Sequence, residues 1–315
     1  MCHDVLNNYK VILMKHVLIT GGTGLIGSSL CRKLIDQNYQ VTVLSRNLKT
    51  VSQKCGQQVQ GITSLSEINA NVVIDVVINL AGEPIADKRW SKNRKVELET
   101  SRINLTHELV KWMSERKLKP ESLISGSAVG WYGDGSSEIL TEQSKYKDEY
   151  THQLCDAWEK QALQAEQAGI RVCIVRTGLV LAKNGGFIQK MLLPFKLGLG
   201  GKLGQGEQYM PWIHLTDMTN LLVFLLEDRG AHGVFNACSP QPVTNKKFTA
   251  ALAKQLHRVA FIPVPAWLLK ILLGEMSRLL LTGQNATPEK AQAIGFRFVY
   301  TDVTLALANI LSTNK

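Results

Sequence analysis

Apolar and polar positions are most sharply ordered in HVLITGGTGLIGSSLCRKLIDQNYQVTVLSRN. A β-branched run from His16 to Thr20 meets a glycine turn, passes into an amphipathic helical pattern, and ends in a second apolar run, Gln40 to Leu44. Strand, turn, helix and strand within about 30 residues predict a β–α–β unit. A further apolar run ends at Asn79 without alternation, as expected of a parallel strand buried on both faces. SKNRKVELETSRINLTHELVKWM carries one long helical period and residues 148–167 carry another. RVCIVRTGLVL returns to strand, and a helix is expected from His214 to about Leu226. After Asn236 short helical patterns are punctuated by Pro and Gly. The predicted class is therefore α/β, a Rossmann doubly wound parallel sheet with a smaller, mainly helical C-terminal region.

Composition narrows this little. The chain has 315 residues, 45% hydrophobic and 20% charged, enough for one large domain plus a smaller one. Six cysteines with no C-x-x-C pair indicate neither a disulfide framework nor a zinc site, and no metal is expected. The net charge of +10 is spread along the chain without a nucleic-acid-binding motif, so no nucleic-acid partner is expected. WLLKILLGEMSRLLL is interrupted by Lys270, Glu275 and Arg278 and reads as amphipathic, so no membrane partner is expected either. The N-terminus has no signal-peptide pattern. Cytoplasmic localisation follows as an expectation.

The glycines carry the first chemistry. Gly21 permits the tight turn, Gly24 lets the backbone approach a pyrophosphate, and Gly27 allows close packing of helix on strand. The helix beginning at Leu25 and Ile26 presents free N–H groups to that pyrophosphate. At the end of the second strand an NAD site normally has Asp or Glu, whereas here Ser45 and Arg46 stand with no carboxylate. A guanidinium matches a phosphate better than a hydroxyl, which favours NADP(H) over NAD. Leu80, Ala81 and Gly82 follow the strand ending at Asn79, at the edge where ligands of open α/β sheets sit.

TGGTGLIG, NLAG, LISGSAVGWYGD and PWIHLTDM resemble, in order and spacing, the motifs of extended short-chain dehydrogenase/reductases. NLAGEPIADKRW, PFKLGLGGKLGQG and LLTGQ resemble one atypical branch, labelled epimerase family protein and sometimes cell-division-inhibitor-like. The resemblance covers roughly Lys15 to the C-terminus. It implies an NADP site including Ser45, Arg46, Leu80, Ala81, Glu97, Arg102 and Val180. For Glu97 and Arg102 the residues alone suggest only a solvated helix face. The expected organisation is an N-terminal extension at 1–14, an NADP-binding Rossmann domain at 15–180 to which the chain returns at 211–236, and a substrate-side region at 181–315. Either residues 1–13 form a loose extension or Met14 is the natural start.

The superfamily's acid/base pair is a tyrosine followed four residues later by a lysine that stabilises tyrosinate. No tyrosine here has a lysine at that spacing. Without such help a tyrosine of pKa about 10 is only about 0.1% ionised at neutral pH. On the helix after Asp148, either Tyr150, Leu154 and Trp158 share the relevant face, or a register one residue later places Thr151, Cys155 and Glu159 there. Candidate catalytic residues are Tyr150, Tyr132 and Ser127, with Ser125 as the alternative serine. The glycine-rich segment at 191–217 offers Lys196, Lys202, Trp212 and His214 as substrate-binding candidates, the lysines for phosphate charge and Trp212 for stacking on a ring. The expected partner is a small-molecule substrate, with a homodimer left open. Two functions fit: an NADP(H)-dependent oxidoreductase or epimerase acting on a small hydroxylated, nucleotide-sugar-like substrate, or an inactive NADP(H)-binding sensor.

Overall fold

The computed structural model describes residues 14–312. Almost all of the expected N-terminal extension lies outside them. Seven strands form one all-parallel sheet: β1 (His16–Thr20), β2 (Gln40–Leu44), β3 (Gln60–Ile62), β4 (Val76–Asn79), β5 (Ser122–Ala128), β6 (Arg171–Thr177) and β7 (Gly233–Ala237). Their spatial order is 7-6-5-4-1-2-3. The order reverses at β1 and β4, which opens a crevice outside the carboxyl ends of those strands.

Alternation along each strand sends side chains to two separate cores. Val17 and Ile19 of β1 pack beneath α1 (Leu25–Asp36), beside α2 (Leu48–Cys55) and α7 (Leu215–Glu227). Leu18, between them, faces the opposite core with Leu109 and Met113 of α4 (Ile103–Glu115) and Ala162 of α5 (Tyr150–Leu163). Helices thus cover both faces, as an all-parallel sheet requires. The sheet is a Rossmann-type doubly wound one.

The helical period over residues 91–113 divides into α3 (Lys92–Thr100) and α4, with Ser101 and Arg102 at the joint. Both are drawn to the loop after β4: Ser101 Oγ accepts from the Glu83 N–H at 3.0 Å, and Arg102 Nη2 donates to the Glu83 carbonyl at 2.9 Å. That tertiary demand overrides a continuous helix.

Beyond β6 a third core forms around Trp212, Phe195, Phe248 and Leu307. It joins α6 (Gly186–Lys196), α8 (Asn245–Gln255) and the last helix, Val303–Leu311. Two short strands, Leu179–Leu181 and Trp212–His214, pair there, and α7 and β7 then carry the chain back to the main sheet. A short helical stretch, Ala266–Leu273 followed by Arg278–Leu281, closes the far side. No helix among the described residues is long and apolar enough to cross a membrane.

Candidate active site

The crevice at the carboxyl edge is a cleft of about 580 Å³. Its floor is the turn after β1. Gly21 has φ +69°, and a Cβ there would lie 2.6 Å from the Leu80 carbonyl group. A Cβ on Gly27 would lie 2.3 Å from the Gly21 oxygen, so only glycine lets α1 approach the turn. Gly24 is the N-cap of α1 and gives it no side-chain cap, so the first N–H groups remain open to an anion. The Cys55 thiol donates to the Gly22 carbonyl at 3.2 Å and ties the turn to α2. This geometry fits the pyrophosphate of a dinucleotide.

The structure brings Gly21, Gly24, Ser45, Arg46, Leu80, Ala81 and Gly82 together on this cleft. Ile26 packs toward the core under the sheet. Leu25 reaches the Gly185–Gly186 turn at the start of α6. Arg46 is almost wholly exposed, 93% of its side chain, and its Nη2 lies 3.2 Å from Glu83 Oε1. Glu83 was not among the expected site residues. Its carboxylate stands between Arg46 and Arg94 (3.6 Å), and its carbonyl receives Arg102. The sequence signal was available: an acid two residues beyond Ala81, opposite the only arginine at the β2 edge.

Glu97, Arg102 and Val180 do not line the cleft. The Glu97 carboxylate accepts from Arg94 Nη1 at 2.7 Å. Arg102 is half-buried behind Gly82, where an added Cβ would be 2.9 Å from its guanidinium carbon, and it faces the Trp158 ring at 5.3 Å. Burial lowers its pKa from the usual arginine value. In this arrangement Arg102 holds the 82–83 loop in place. Val180 packs its side chain against the core.

A second cavity of about 270 Å³ continues from the same loop, taking Ile85 and Ala86 as one wall. Its other walls come from the end of β5, the start of α5, the residues after β6, and residues 203–211 and 278–284. Thr151 and Cys155 line it, whereas Tyr150 and Leu154 do not. The structure therefore chooses the register Thr151, Cys155, Glu159 for the inward face of α5. Gly130 makes this possible, since a Cβ there would meet Thr151 Cβ at 3.2 Å.

The three catalytic candidates are placed differently from expectation. Tyr132 is 1% exposed, and its hydroxyl donates to Asn236 Oδ1 at 2.8 Å. Burial pushes its pKa up to about 12. Tyr150 turns away to Trp90, ring centroids 5.0 Å apart, with its pKa pushed by burial to about 12. Ser127 is buried, and its Oγ donates to Glu159 Oε1 at 2.6 Å. Glu159 also accepts Arg176 Nε and Nη2, each at 2.9 Å, and the guanidinium lies 3.5 Å over the Trp131 ring. Burial acts to lower the Arg176 pKa, but the two hydrogen bonds and the charge of Glu159 outweigh it and raise it. Cys155 is held as a thiol because burial pushes its pKa to about 11.

The substrate candidates also change. Trp212 is fully buried in the third core and its indole N–H donates to the Gln241 carbonyl at 3.1 Å, so it cannot stack on a ligand. His214 is buried as the N-cap of α7, where Nδ1 accepts from the Thr216 N–H at 3.1 Å. Lys196 and Lys202 line neither cavity; Leu203 and Gln208 do so in their place. A glycine-rich segment with scattered polar residues does not disclose which of them turn inward.

Burial lowers the pKa of His214 and of His16 below the ordinary 6.5. Both are neutral in the folded state where the unfolded chain would take a proton. Their contribution to stability is present above pH 6.5 and is lost as pH falls through it toward the lowered folded values. The urea midpoint should therefore fall between pH 7.5 and 5.5, and His214→Asn, which keeps a capping acceptor, should reduce that fall. An unchanged pH dependence in the variant would remove His214 from the account.

A dinucleotide-shaped cleft on a doubly wound sheet, with a second cavity at the end of β5 and α5, defines the class. The family model described as NAD dependent epimerase/dehydratase family matches residues 17–238, and a domain of unknown function (DUF1731) matches 264–310. The chain belongs to the NAD-dependent epimerase/dehydratase family. Within it the chain is 37% identical to the epimerase family protein YfhF of Bacillus subtilis (strain 168), over 95% of this chain and 99% of that protein. The human epimerase family protein SDR39U1 (isoform 2), solved with NADPH, has a TM-score of 0.84 and 31% identity, over 94% of this chain and 98% of that one. A nucleoside-diphosphate sugar epimerase from Corynebacterium glutamicum has a TM-score of 0.72 and 28% identity, over 95% of this chain and 58% of that one. These neighbours place the chain among the extended short-chain dehydrogenase/reductase-type epimerase family proteins.

Proposed function

We propose that the protein binds NADP(H) and carries out an oxidoreductase or epimerase step on a small hydroxylated substrate, without a Tyr-x-x-x-Lys pair. The observation that carries this reading is that one loop walls both cavities, residues 80–83 the first and Ile85 and Ala86 the second, with the glycine cradle in one and the Thr151–Cys155 face of α5 in the other. When bound, the nicotinamide supplies hydride chemistry. The chain's own groups bind and orient: the turn at 21–27 takes the pyrophosphate, and Arg46 takes the 2′-phosphate in exchange for Glu83. The apolar walls of the second cavity exclude water. Solution of the NADPH-bound complex, combined with a 340 nm assay over hydroxyl and carbonyl compounds, tests the proposal. Absence of any substrate-dependent absorbance change would reject it.

Choice of NADP(H) rests on Arg46 and on the NADPH of the human neighbour. A charge-assisted hydrogen bond contributes about 1.5–3 kcal/mol, and solvent screening at so exposed a group favours the low end. Arg46→Ala should weaken NADPH binding about tenfold and leave NADH binding unchanged, as measured by quenching of protein fluorescence. Equal losses for both cofactors would show that Arg46 does not read the 2′-phosphate.

The sensor reading has its own support, because Ser127 and Tyr132 are both buried and committed to Glu159 and Asn236. It predicts NADP(H) binding with no turnover. Ser127→Ala and Tyr132→Phe would then change stability alone.

A further inference from the structure

We infer that the second cavity takes an uncharged, largely apolar carbonyl or alcohol compound and excludes nucleotide-diphosphate sugars; this rests on the reading of that cavity as the substrate site. Its walls are mainly apolar, among them Val129, Leu179, Phe187, Met210, Leu279 and Leu280. Arg278 is the single cation on its lining among the described residues, and it is already held by Glu149: Nη2 donates to Oε1, and Nε donates to Oε2 at 3.2 Å. Glu149 is the only carboxylate there, so the pair brings no net charge to a ligand.

A diphosphate entering this space would lose its hydration without gaining a free cation, and burying unpaired charge is strongly unfavourable. The lysines that would have supplied that charge, Lys196 and Lys202, lie outside the lining. Size points the same way. The cavity of about 270 Å³ is slightly smaller than the ~300–1,000 Å³ of pockets for drug-sized ligands.

The polar groups on the lining are mostly spent within the protein. Gln208 Nε2 donates to the Leu203 and Leu280 carbonyls at 3.1 and 2.7 Å, and Gln284 Nε2 donates to Gly133. Asn245 accepts from the Leu203 N–H at 2.8 Å. The Thr151 hydroxyl makes no side-chain hydrogen bond to the described residues, so it remains available to orient one oxygen of a ligand. Of the other lining hydroxyls, Thr177 donates to the Val175 carbonyl at 3.4 Å and Thr282 to the Arg278 carbonyl at 2.7 Å, which leaves Thr151 and Tyr209 among apolar walls and matches an apolar body with a carbonyl or alcohol group.

The test is a pair of calorimetric titrations on the full chain saturated with NADP⁺, one with 4-phenyl-2-butanone and one with UDP-glucose. The ketone should bind at least about tenfold more tightly. Leu280→Trp and Leu203→Trp, each filling the cavity from a different wall, should weaken the ketone tenfold or more and leave NADP⁺ binding as it was. UDP-glucose binding as tightly as the ketone would overturn the inference, as would ketone binding that neither variant affects or that is undetectable. Failure of NADP⁺ itself to bind would count against the proposed function, and the ketone titration of the free protein would still decide the cavity's preference.

Discussion

Replacing Gly27 with alanine is expected to abolish dinucleotide binding and to leave a folded but less stable protein. The added Cβ would lie 2.3 Å from the Gly21 oxygen and 2.6 Å from Gly22 Cα, both backbone atoms that no rotamer change can move aside. To relieve the overlap, α1 and the turn must separate, and the open N–H groups then no longer converge on one pyrophosphate. A ligand present at about 100 times its Kd stabilises the folded state by about 2.7 kcal/mol. For a chain of 315 residues that corresponds to a rise in Tm of about 4 °C. The wild-type chain should show this rise with NADPH and Gly27→Ala should show none. Gly169→Ala, a glycine with positive φ and no neighbour within 4 Å of an added Cβ, should keep the rise and separates loss of binding from general strain. Retained stabilisation in Gly27→Ala would show that the dinucleotide does not use this turn.

The second large effect is expected at Glu159. Arg176 and Glu159 expose only 4% and 6% of their side chains, and they form a bidentate pair beneath Ser127. Truncating one partner of a buried pair leaves the other charge unpaired and costs about 3–5 kcal/mol. Glu159→Leu should therefore lower the stability by that amount in urea titration. Ser127→Ala, which removes one charge-assisted hydrogen bond and leaves the ion pair intact, should cost less, about 1.5–3 kcal/mol. The double change Glu159→Leu with Arg176→Met should recover much of the loss, because an apolar pair of similar volume replaces the ions without stranding either. A double variant as unstable as Glu159→Leu alone would mean that the arginine's contacts with Trp131, not its charge pairing, hold this layer.

Together these effects divide the site into a binding part and a supporting part. The glycine turn and Arg46 lie on the first cleft, where the proposed cofactor would bind. Ser127, Glu159, Arg176, Tyr132 and Asn236 form a buried polar layer under the second cavity. Their placement explains why the two most obvious hydroxyl candidates contribute to structure, and it leaves Thr151 as the hydroxyl on the lining at the superfamily's tyrosine register.

Much of the cofactor side was legible in the chain because its signals are local. A strand, a three-residue glycine rhythm and a helix lie within one β–α–β unit, and such a turn offers its own backbone N–H groups to an anion. The end of β2 falls at a fixed distance from that turn, so Ser45 and Arg46 could be placed without tertiary information. Residues 92–115 were less legible: the periodicity ran through Ser101 and Arg102, and only the Glu83 backbone groups broke it.

The substrate side depended on packing between distant segments. A helix period places Tyr150 and Leu154 on one stripe and Thr151 and Cys155 on the next, and a rotation of about 100° decides between them. Contact of Thr151 with Gly130, and of Glu159 with Arg176 in β6, fixed that rotation. Trp212 and His214 could equally have faced a ligand or the interior, and the third core took Trp212 while the N-cap of α7 took His214. The buried pair did leave one trace, since Arg176 interrupts the apolar run of β6 and an arginine there needs a carboxylate. By itself, then, the sequence determined the sheet, the glycine cradle and the arginine at the edge of the first cleft, because each follows from residues adjacent along the chain. The tertiary structure alone decided which side chains face the second cavity, because the facing of a helix is set by contacts between segments far apart in sequence.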